Sequence, residues 1–334
     1  MKKDNFLHDP VQPFVIDPKS SISSILHRMG KISFQGRNLS TACQIWEQML
    51  QDNDTTILLG LAGAMVPAGM RNILVYLIEH RLIDCLVSTG ANLFHDIHET
   101  LGRHHWLGHP QADDKQLKDA GIDRIYDTFA SEKEFFIADQ FIVDFGKTLD
   151  QERAYSTKEF LFLLGKHLEK VKKTEGLLTC AANREVPVFC PAIGDSSIGI
   201  ALSILAEKEG MTVRIDPVED VSLSARMVMD SKKTGVIYIG GGTPKNFIQQ
   251  TEVTAHYLDG DVAGHTYAIQ FTADAPHWGG LSGCTFEEAQ SWGKIQKKAK
   301  VVSVHVDATI ALPLVVSALS QKPDLINNRH LPKI

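Results

Sequence analysis

The stretch GVIYIGGGTPKNFIQQ, residues 235–250, places a short β-rich apolar run directly before three glycines and a helical pattern. We predict a strand at 235–239 and a helix at 245–256 from this change of pattern. The same succession recurs along the chain, which is typical of a parallel sheet whose strands alternate with helices. The other strands are predicted at 55–59, 85–88, 188–190, 212–215, 267–271 and 301–306. The other helices are predicted at 21–28, 41–51, 69–80, 158–170, 197–208, 218–230, 286–296 and 309–320.

The predicted strands lack a clean alternation of polar and apolar residues, as expected when helices cover both faces of a sheet. The sequence therefore predicts an α/β fold with a doubly wound, mostly parallel sheet. We assign residues 19–334 to one domain and the proline-containing residues 1–18 to an extended N-terminal arm. The polar, turn-rich residues 103–135 are predicted to leave the sheet as a long excursion.

The composition, with 43% hydrophobic and 22% charged residues, is that of a globular protein. The net charge of −6 argues against general nucleic-acid binding. The longest apolar stretches, near 56–68 and 308–319, are shorter than the roughly 20 residues that span a bilayer. The five cysteines are widely spaced and form no CxxC motif, so we expect reduced thiols. We therefore expect a cytoplasmic protein that binds neither nucleic acid nor membrane.

Several predicted strands end in small or acidic residues. Ligands of open α/β sheets bind outside the carboxyl ends of the strands, where glycines let backbone N–H groups approach phosphates and carboxylates can hold ribose hydroxyls. No strict GxGxxG motif is present, so the pattern fits either a nucleotide site or ordinary turns. The candidates are Thr89, Gly90, Ala91, Asp195, Gly241, Thr272, Ala273, Asp307 and Ala308.

A lysine late in the chain is a candidate nucleophile. The stretch EEAQSWGKI, residues 287–295, sets Lys294 beside Trp292 and Gly293. An apolar surface such as Trp292 disfavours the charged ammonium and frees the amine for attack on a carbonyl or imine carbon. A surface helix whose lysine points to water is the alternative interpretation.

The lysine stretch, together with residues 282–284, 306–308 and 312–315, resembles the lysine signature of deoxyhypusine synthases. The resemblance extends to 239–242, 191–195 and 58–71, in the order and spacing of that family. It implies that Lys294 carries a covalent imine, with Glu288 and Trp292 in the amine pocket. It also implies a Rossmann-like crevice that binds NAD at the strand-end residues named above. Finally, it implies a homo-oligomer, a tetramer, with active sites across a subunit interface.

Three positions of the amine pocket depart from the family. The family has acidic residues where this chain has His95 and Ile200, and a histidine where it has Asn246. Less negative charge remains to pair with a multiply protonated amine, so the amine or its acceptor is expected to differ. If His95 lines the pocket, its protonation would repel the amine, and activity should fall below about pH 6.5.

The resemblance supports three hypotheses. The first is an NAD-dependent aminoalkyl transferase, of the aminobutyl type, acting on polyamines such as spermidine, with a small diamine as acceptor as in homospermidine synthesis. The second is a true deoxyhypusine synthase that modifies a lysine of a translation factor. The third is a catalytically weak, NAD-binding regulatory paralogue.

Five histidines lie close together in the sequence around Trp106. Their spacing gives no closed ligand set, so we predict no metal site. Those nearest the Thr89 turn are predicted to be pocket residues or packed neutral imidazoles. The five are His95, His98, His104, His105 and His109.

Overall fold

The computed structural model of the chain describes residues 9–327 and 329. The helices are α1 (Ile22–Met29), α2 (Phe34–Gln51), α3 (Arg71–Glu79), α4 (Gly90–Thr100), α5 (Asp114–Asp119), α6 (Glu132–Gly146), α7 (Thr157–Glu169), α8 (Leu177–Arg184), α9 (Ser197–Glu209), α10 (Pro217–Met229), α11 (Gly242–Tyr257), α12 (Phe286–Ser291), α13 (Ala308–Ser320) and α14 (Pro323–Asn327). The strands are β1 (Thr55–Leu61), β2 (Cys85–Ser88), β3 (Trp106–Leu107), β4 (Ile122–Ile125), β5 (Thr128–Ser131), β6 (Ala154–Tyr155), β7 (Val188–Phe189), β8 (Arg214–Ile215), β9 (Lys233–Ile239), β10 (His265–Thr272) and β11 (Ile295–His305).

Six strands form the central sheet, in the order β11-β10-β9-β1-β2-β7. All of their pairings are parallel, which confirms the predicted mostly parallel α/β sheet. Numbered along the chain, the order is 6-5-4-1-2-3, the strand order typical of doubly wound sheets. The strand order reverses between β1 and β9, which are adjacent in the sheet.

The two faces of the sheet pack into separate apolar cores. On β1, Ile57 and Leu59 join the larger core, which also contains buried residues of α2, α3 and α13. Leu58 points the other way and joins Tyr238 and Ile248 in a smaller core with residues of α10, α11 and α12. Because neighbouring residues of one strand face opposite sides, burial on both sides requires the continuous apolar runs seen in the sequence.

Some predicted elements differ from the structure. The strand predicted at 212–215 is β8, which pairs with β6 in a separate two-stranded sheet. The helix predicted at 286–296 ends at Ser291, because Gly293 adopts a left-handed backbone conformation with φ of 73°. The excursion at 103–135 contains a small antiparallel sheet, β3-β5-β4, outside the central sheet.

The predicted arm falls partly outside the described residues, since 1–8 are not among them. Residues 9–18 contain no helix or strand. The division into an arm and a single domain stays a prediction. Within the part of the chain that the structure describes, no helix is long and apolar enough to cross a membrane.

A buried carboxylate holds three helices together. Asp96 of α4 accepts a hydrogen bond from the Arg71 guanidinium of α3 at 2.9 Å. The same carboxylate accepts from the backbone N–H groups of Leu177 and Leu178, at 2.8 and 3.1 Å, in the first turn of α8. Arg71 also donates to the Thr100 hydroxyl, one turn further along α4. Asp96 thereby serves both as an ion-pair partner and as an acceptor for helix N–H groups that would otherwise lack one.

Replacing Asp96 with asparagine should destabilise the fold by about 3–5 kcal/mol, because it leaves the Arg71 guanidinium buried beside a neutral amide. Glu132→Gln, which removes an exposed ion pair with Lys118, should cost less than about 1 kcal/mol. Urea denaturation monitored by circular dichroism gives both free energies of unfolding. Equal effects of the two substitutions would refute the anchoring role of Asp96.

Candidate active site

The carboxyl ends of the parallel strands meet at one edge of the central sheet. Leu61 of β1 lies opposite both Ser88 of β2 and Ile239 of β9. Ile239 in turn lies opposite Phe271 of β10. Backbone pairing continues beyond the strands, since the N–H of Gly240 donates to Phe271 at 2.8 Å. The loops after these strands therefore form one continuous surface, which we call the strand-end edge.

The predicted cofactor residues all lie at the strand-end edge, on loops or at the adjoining ends of helices and strands. Thr89 precedes α4, and Gly90 and Ala91 form its first turn. Asp195 lies in the turn before α9. Gly241 precedes α11. Thr272 ends β10 and is followed by Ala273, and Asp307 precedes Ala308 at the start of α13.

Two of these glycines allow loops to approach one another. A Cβ on Gly90 would lie 2.3 Å from the Ser196 hydroxyl, so the loops after β2 and β7 pack directly together. A Cβ on Gly241 would lie 2.4 Å from Cα of Ser282, and Gly241 is buried beneath that residue. In this chain, Gly241 therefore serves a contact between two backbone segments.

The open part of the strand-end edge has features that suit a dinucleotide. Asp195 and Asp307 are exposed, as acceptors for ribose hydroxyls would need to be. Helices α4, α9, α11 and α13 all begin here, and their N-termini favour the negative charge of phosphates. Asp307 already accepts a hydrogen bond from the Thr309 N–H at 2.7 Å, so it also caps α13.

The lysine stretch forms a short helix followed by a sharp turn. Helix α12 begins after Thr285, whose hydroxyl accepts a hydrogen bond from the Glu288 N–H at 3.1 Å. Lys294 lies between the turn at Gly293 and β11, and its Nζ is 5.3 Å from the centroid of the Trp292 ring. Trp292 is itself 67% exposed, so it covers the lysine from one side without enclosing it.

The backbone of Lys294 lies far from the strand-end edge. Its carbonyl accepts a hydrogen bond from the N–H of His265, the first residue of β10. Thr272 ends β10 seven residues later, about 23 Å away at the usual rise of a strand. One chain therefore does not place the Lys294 backbone beside the predicted cofactor residues.

Lys245 is a candidate functional residue that the sequence interpretation missed. Its side chain is fully buried, and Nζ donates to Gln270 Oε1 at 2.9 Å and to the Cys284 carbonyl at 2.6 Å. Burial lowers the pKa of Lys245 to about 8; the charge of Glu288 opposes this shift and that of Lys294 adds to it. The pKa of Lys245 thus responds to two predicted catalytic residues. The sequence contained one indication of this burial, because Lys245 lies three residues before the apolar Ile248 and so shares its side of the predicted helix.

A cavity of about 270 Å³ connects the strand-end edge with α12. Its lining includes Thr272, Glu287 and both hydrogen-bond partners of Lys245, Gln270 and Cys284. A larger cavity of about 420 Å³ lies between α7, α8 and α10 and contains none of the predicted site residues. The smaller cavity is therefore the one that adjoins the candidate chemistry.

The three predicted substrate residues lie on different helices. Ile200 of α9 is 56% exposed, and Asn246 of α11 directly follows Lys245. His95 of α4 has its Nδ1 2.9 Å from Nε2 of His105. Burial lowers the pKa of His95 to about 3, and His105 and His98 add to the shift. A loss of activity below about pH 6.5 is therefore not expected from His95, because burial keeps the imidazole neutral there.

Among residues 9–327 and 329, no group of three or more His, Cys, Asp or Glu side chains is placed to hold a metal ion. The histidine region instead packs around Phe135, whose ring centroid lies 5.4 Å from that of His95 and 4.9 Å from that of His98.

The sequence profile of the deoxyhypusine synthase family matches residues 24–319. "Probable deoxyhypusine synthase 2" of Methanosarcina acetivorans is 53% identical over 96% of this chain and 93% of its own length. The "Deoxyhypusine synthase-like protein" of Chlorobaculum parvum is 37% identical over 94% of this chain and 90% of its own. A crystal structure from Entamoeba histolytica named after the same synthase superposes with a TM-score of 0.66 at 18% identity, covering 97% of this chain and 100% of that one. The chain belongs to the deoxyhypusine synthase family, a family of transferases.

The low pKa of His95 predicts a specific pH dependence of stability. An unfolded histidine titrates near pH 6.5, so between about pH 6.5 and 3 the unfolded chain binds more protons than the folded one. Stability should therefore decrease as the pH is lowered from about 6.5 to 3, by up to about 1.4 kcal/mol per pH unit from His95. His95→Gln should flatten the curve by that amount, and His109→Gln, at an exposed histidine, should not. Denaturant unfolding measured across the range checks this, and parallel curves for wild type and His95→Gln would contradict it.

Proposed function

We propose that this protein is an NAD-dependent aminoalkyl transferase that acts on polyamines through an imine on Lys294. The observation that carries the proposal is the buried Lys245, whose hydrogen-bond partners Gln270 and Cys284 line a cavity that reaches the strand-end edge at Thr272. The family match over residues 24–319 supports the same reaction class.

The strand-end residues would hold NAD in a Rossmann-like crevice, with Asp195 and Asp307 near the ribose hydroxyls and the N-termini of α4 and α9 near the phosphates. The chemistry that a bound NAD supplies is reversible hydride acceptance at an amine carbon, so the transfer involves no net oxidation.

Lys294 acts as the nucleophile in this proposal. Its amine attacks the carbon of the substrate imine, a new C–N bond forms, and the remainder of the donor leaves as an amine. Lys294 must lose its proton before it attacks, so that the amine lone pair is free. Glu288 would pair with the ammonium of the substrate. The acceptor amine then displaces Lys294 from the aminoalkyl group.

A small diamine is the acceptor that we favour. His95, Ile200 and Asn246 carry less charge than the family residues, which weakens the pairing with a long polyamine. One organism also contains two relatives: this chain is 53% identical to "synthase 2" of Methanosarcina acetivorans and 41% to its "synthase 1". Two such proteins in one organism are consistent with different acceptors.

Modification of a translation-factor lysine is the second candidate, and the names of the relatives favour it. A catalytically weak regulatory paralogue is the third, and the presence of Lys294 with Glu288 and Trp292 argues against it. Purified protein with NAD and labelled di- and polyamines, assayed with and without the translation factor, separates the three. Product from the small amines alone supports our proposal, and labelling of the factor alone would replace it with the second.

We further propose a homotetramer with active sites shared between subunits. In one chain, β2 and β11 are four strand spacings apart, about 19 Å. His95 follows β2 and Lys294 precedes β11, so a second copy is the simplest way to bring such groups together. Light scattering at micromolar concentration tests this, and a monomer would refute it.

NAD binding can be tested by thermal unfolding. A ligand at about 100 times its Kd stabilises a fold by about 2.7 kcal/mol, so millimolar NAD should raise the Tm of the wild type. Asp307→Ala should lower the Tm without NAD by removing the cap of α13, and it should also shrink the increment that NAD produces.

Asp216→Ala is the matched control, because Asp216 caps α10 through the Val218 N–H and lies outside the predicted cofactor residues. It should lose a similar cap but keep the full NAD increment. Equal NAD increments in both variants would disprove the role of Asp307 in binding the cofactor.

Lys294→Arg should abolish transfer, by more than about a thousandfold, because arginine keeps the charge but offers no free amine at neutral pH. Lys298→Arg, four residues further along at an exposed lysine, should retain wild-type turnover. Trapping with borohydride and labelled amine should mark the wild type and Lys298→Arg but not Lys294→Arg. Near wild-type turnover in Lys294→Arg would show that the covalent intermediate is wrong.

A further inference from the structure

A carboxylate and two imidazoles form a hydrogen-bonded chain on the outer face of α4. Glu99 Oε1 lies 2.7 Å from Nδ1 of His105. Nε2 of His105 lies 2.9 Å from Nδ1 of His95. His95 and Glu99 are four residues apart on one helix face, and His105 enters from the segment after α4 to bridge them. We call these three residues the α4 relay.

Packing fixes the orientation of both rings. The His105 side chain is 5% exposed, and the Phe135 ring meets the edges of His95 and His105 at centroid distances of 5.4 and 6.3 Å. Arg71 lies 3.7 Å from the second oxygen of Glu99, which holds the carboxylate in place. The relay is therefore an ordered arrangement.

The hydrogen bonds of the relay define one arrangement of the protons when both imidazoles are neutral. A carboxylate only accepts, so Nδ1 of His105 carries a hydrogen. In neutral His105, Nε2 then accepts, which requires Nδ1 of His95 to carry the next hydrogen. The remaining nitrogen of His95, Nε2, is left with a lone pair. Within the described residues this atom has no hydrogen-bond partner, and it is not among the enclosed unpaired atoms, so solvent reaches it.

We propose that the α4 relay presents His95 Nε2 as a neutral hydrogen-bond acceptor for an ammonium group of the amine substrate, with Glu99 and His105 as positioning residues. The inference rests on the proposed function, because it names the group that receives the amine in the same site. His95 lies one helical turn, about 5 Å, beyond the exposed Ala91 of the strand-end edge. An amine held there would lie beside the open end of the crevice.

Burial keeps His95 in the state that this role needs. The pKa of His95 is lowered to about 3, so the imidazole stays neutral and does not repel a cation near neutral pH. A neutral acceptor balances less positive charge than a carboxylate does. The relay therefore suits an amine of short chain and low charge better than a fully protonated polyamine.

The first test reads the tautomer without any substrate. In protein with ¹³C- and ¹⁵N-labelled histidine, NMR shifts of the ring distinguish a hydrogen on Nδ1 from one on Nε2, and His95→Gln identifies the His95 signals. We expect His95 with hydrogen on Nδ1 in the wild type, and a mixture of tautomers in Glu99→Gln and His105→Leu. A wild-type His95 with hydrogen on Nε2 would overturn the proposal.

The second test reads amine recognition. In assays with putrescine as the amine, Glu99→Gln and His105→Leu should raise the KM for putrescine about tenfold, the effect of one hydrogen bond to a charged group, with kcat within about twofold. His104→Leu is the matched control, since the exposed His104 ring packs against Trp106 and only its backbone carbonyl bonds to a histidine, His98. In the His95→Gln background, His105→Leu should have no further effect on KM.

The outcomes separate this inference from the proposed function. If the wild type converts putrescine but both relay variants keep the KM of His104→Leu, the inference is wrong and the transferase function stands. If the wild type converts none of the amines, the proposed function is wrong. The substrate contact of His95 is then wrong as well, even if the NMR experiment finds the expected tautomer. Thermal unfolding of each variant identifies any that does not fold, and Glu99→Gln then decides the case without His105→Leu.

Discussion

The carboxylate of Asp96 sets the position of α4, and much of the candidate site depends on that helix. Its inner face is held by Arg71 and by the first turn of α8. The outer face carries the His95–Glu99 pair, and its first turn forms part of the strand-end edge. A displacement of α4 would therefore move the loop at Thr89 and the side chain of His95 together.

A second connection joins the strand-end edge to the lysine stretch. Lys245 begins in the first turn of α11, yet its ammonium binds the backbone after Ser282 and a side chain of β10. Gln270 continues this network, because its amide donates to the carbonyls of both Gly240 and Ser282. The segment that leads into α12 is thus held against the glycine loop by Lys245 of α11 and Gln270 of β10. The segment before α12 and the loop after β9 consequently share one network of hydrogen bonds.

The sequence predicted the central sheet well because its strands are buried on both faces. Runs such as 55–59 and 235–239 leave little choice of structure, and both are strands of the central sheet. The pairing of 212–215 with β6 depends on tertiary contacts that no local pattern encodes. Helix α12 ended early because one glycine with a positive φ outweighed a helical pattern. On a continuous helix, Glu288 and Lys294 would face different directions. Because α12 ends before Gly293, the two side chains are not bound to that geometry.

The side chains of the site were harder to predict than the loops that carry them. The carboxyl ends of parallel strands lie at the same edge of a sheet. Thr89 and Asp307, which follow two such strands, could therefore be placed at that edge from the sequence pattern. Burial of Lys245 is a property of its neighbours, and so is the contact of His105 with His95, ten residues earlier. The sequence shows that the histidines lie close together along the chain. Only the packing shows that Nε2 of His105 contacts Nδ1 of His95.

The two outer strands of the central sheet are poorly suited to pairing with a strand of another chain. On one side, β7 is only two residues long. On the other, β11 carries exposed lysines at 297, 298 and 300, whose charges oppose the approach of a further strand. Association of copies through these two edges is therefore disfavoured, which protects the central sheet from uncontrolled lateral growth.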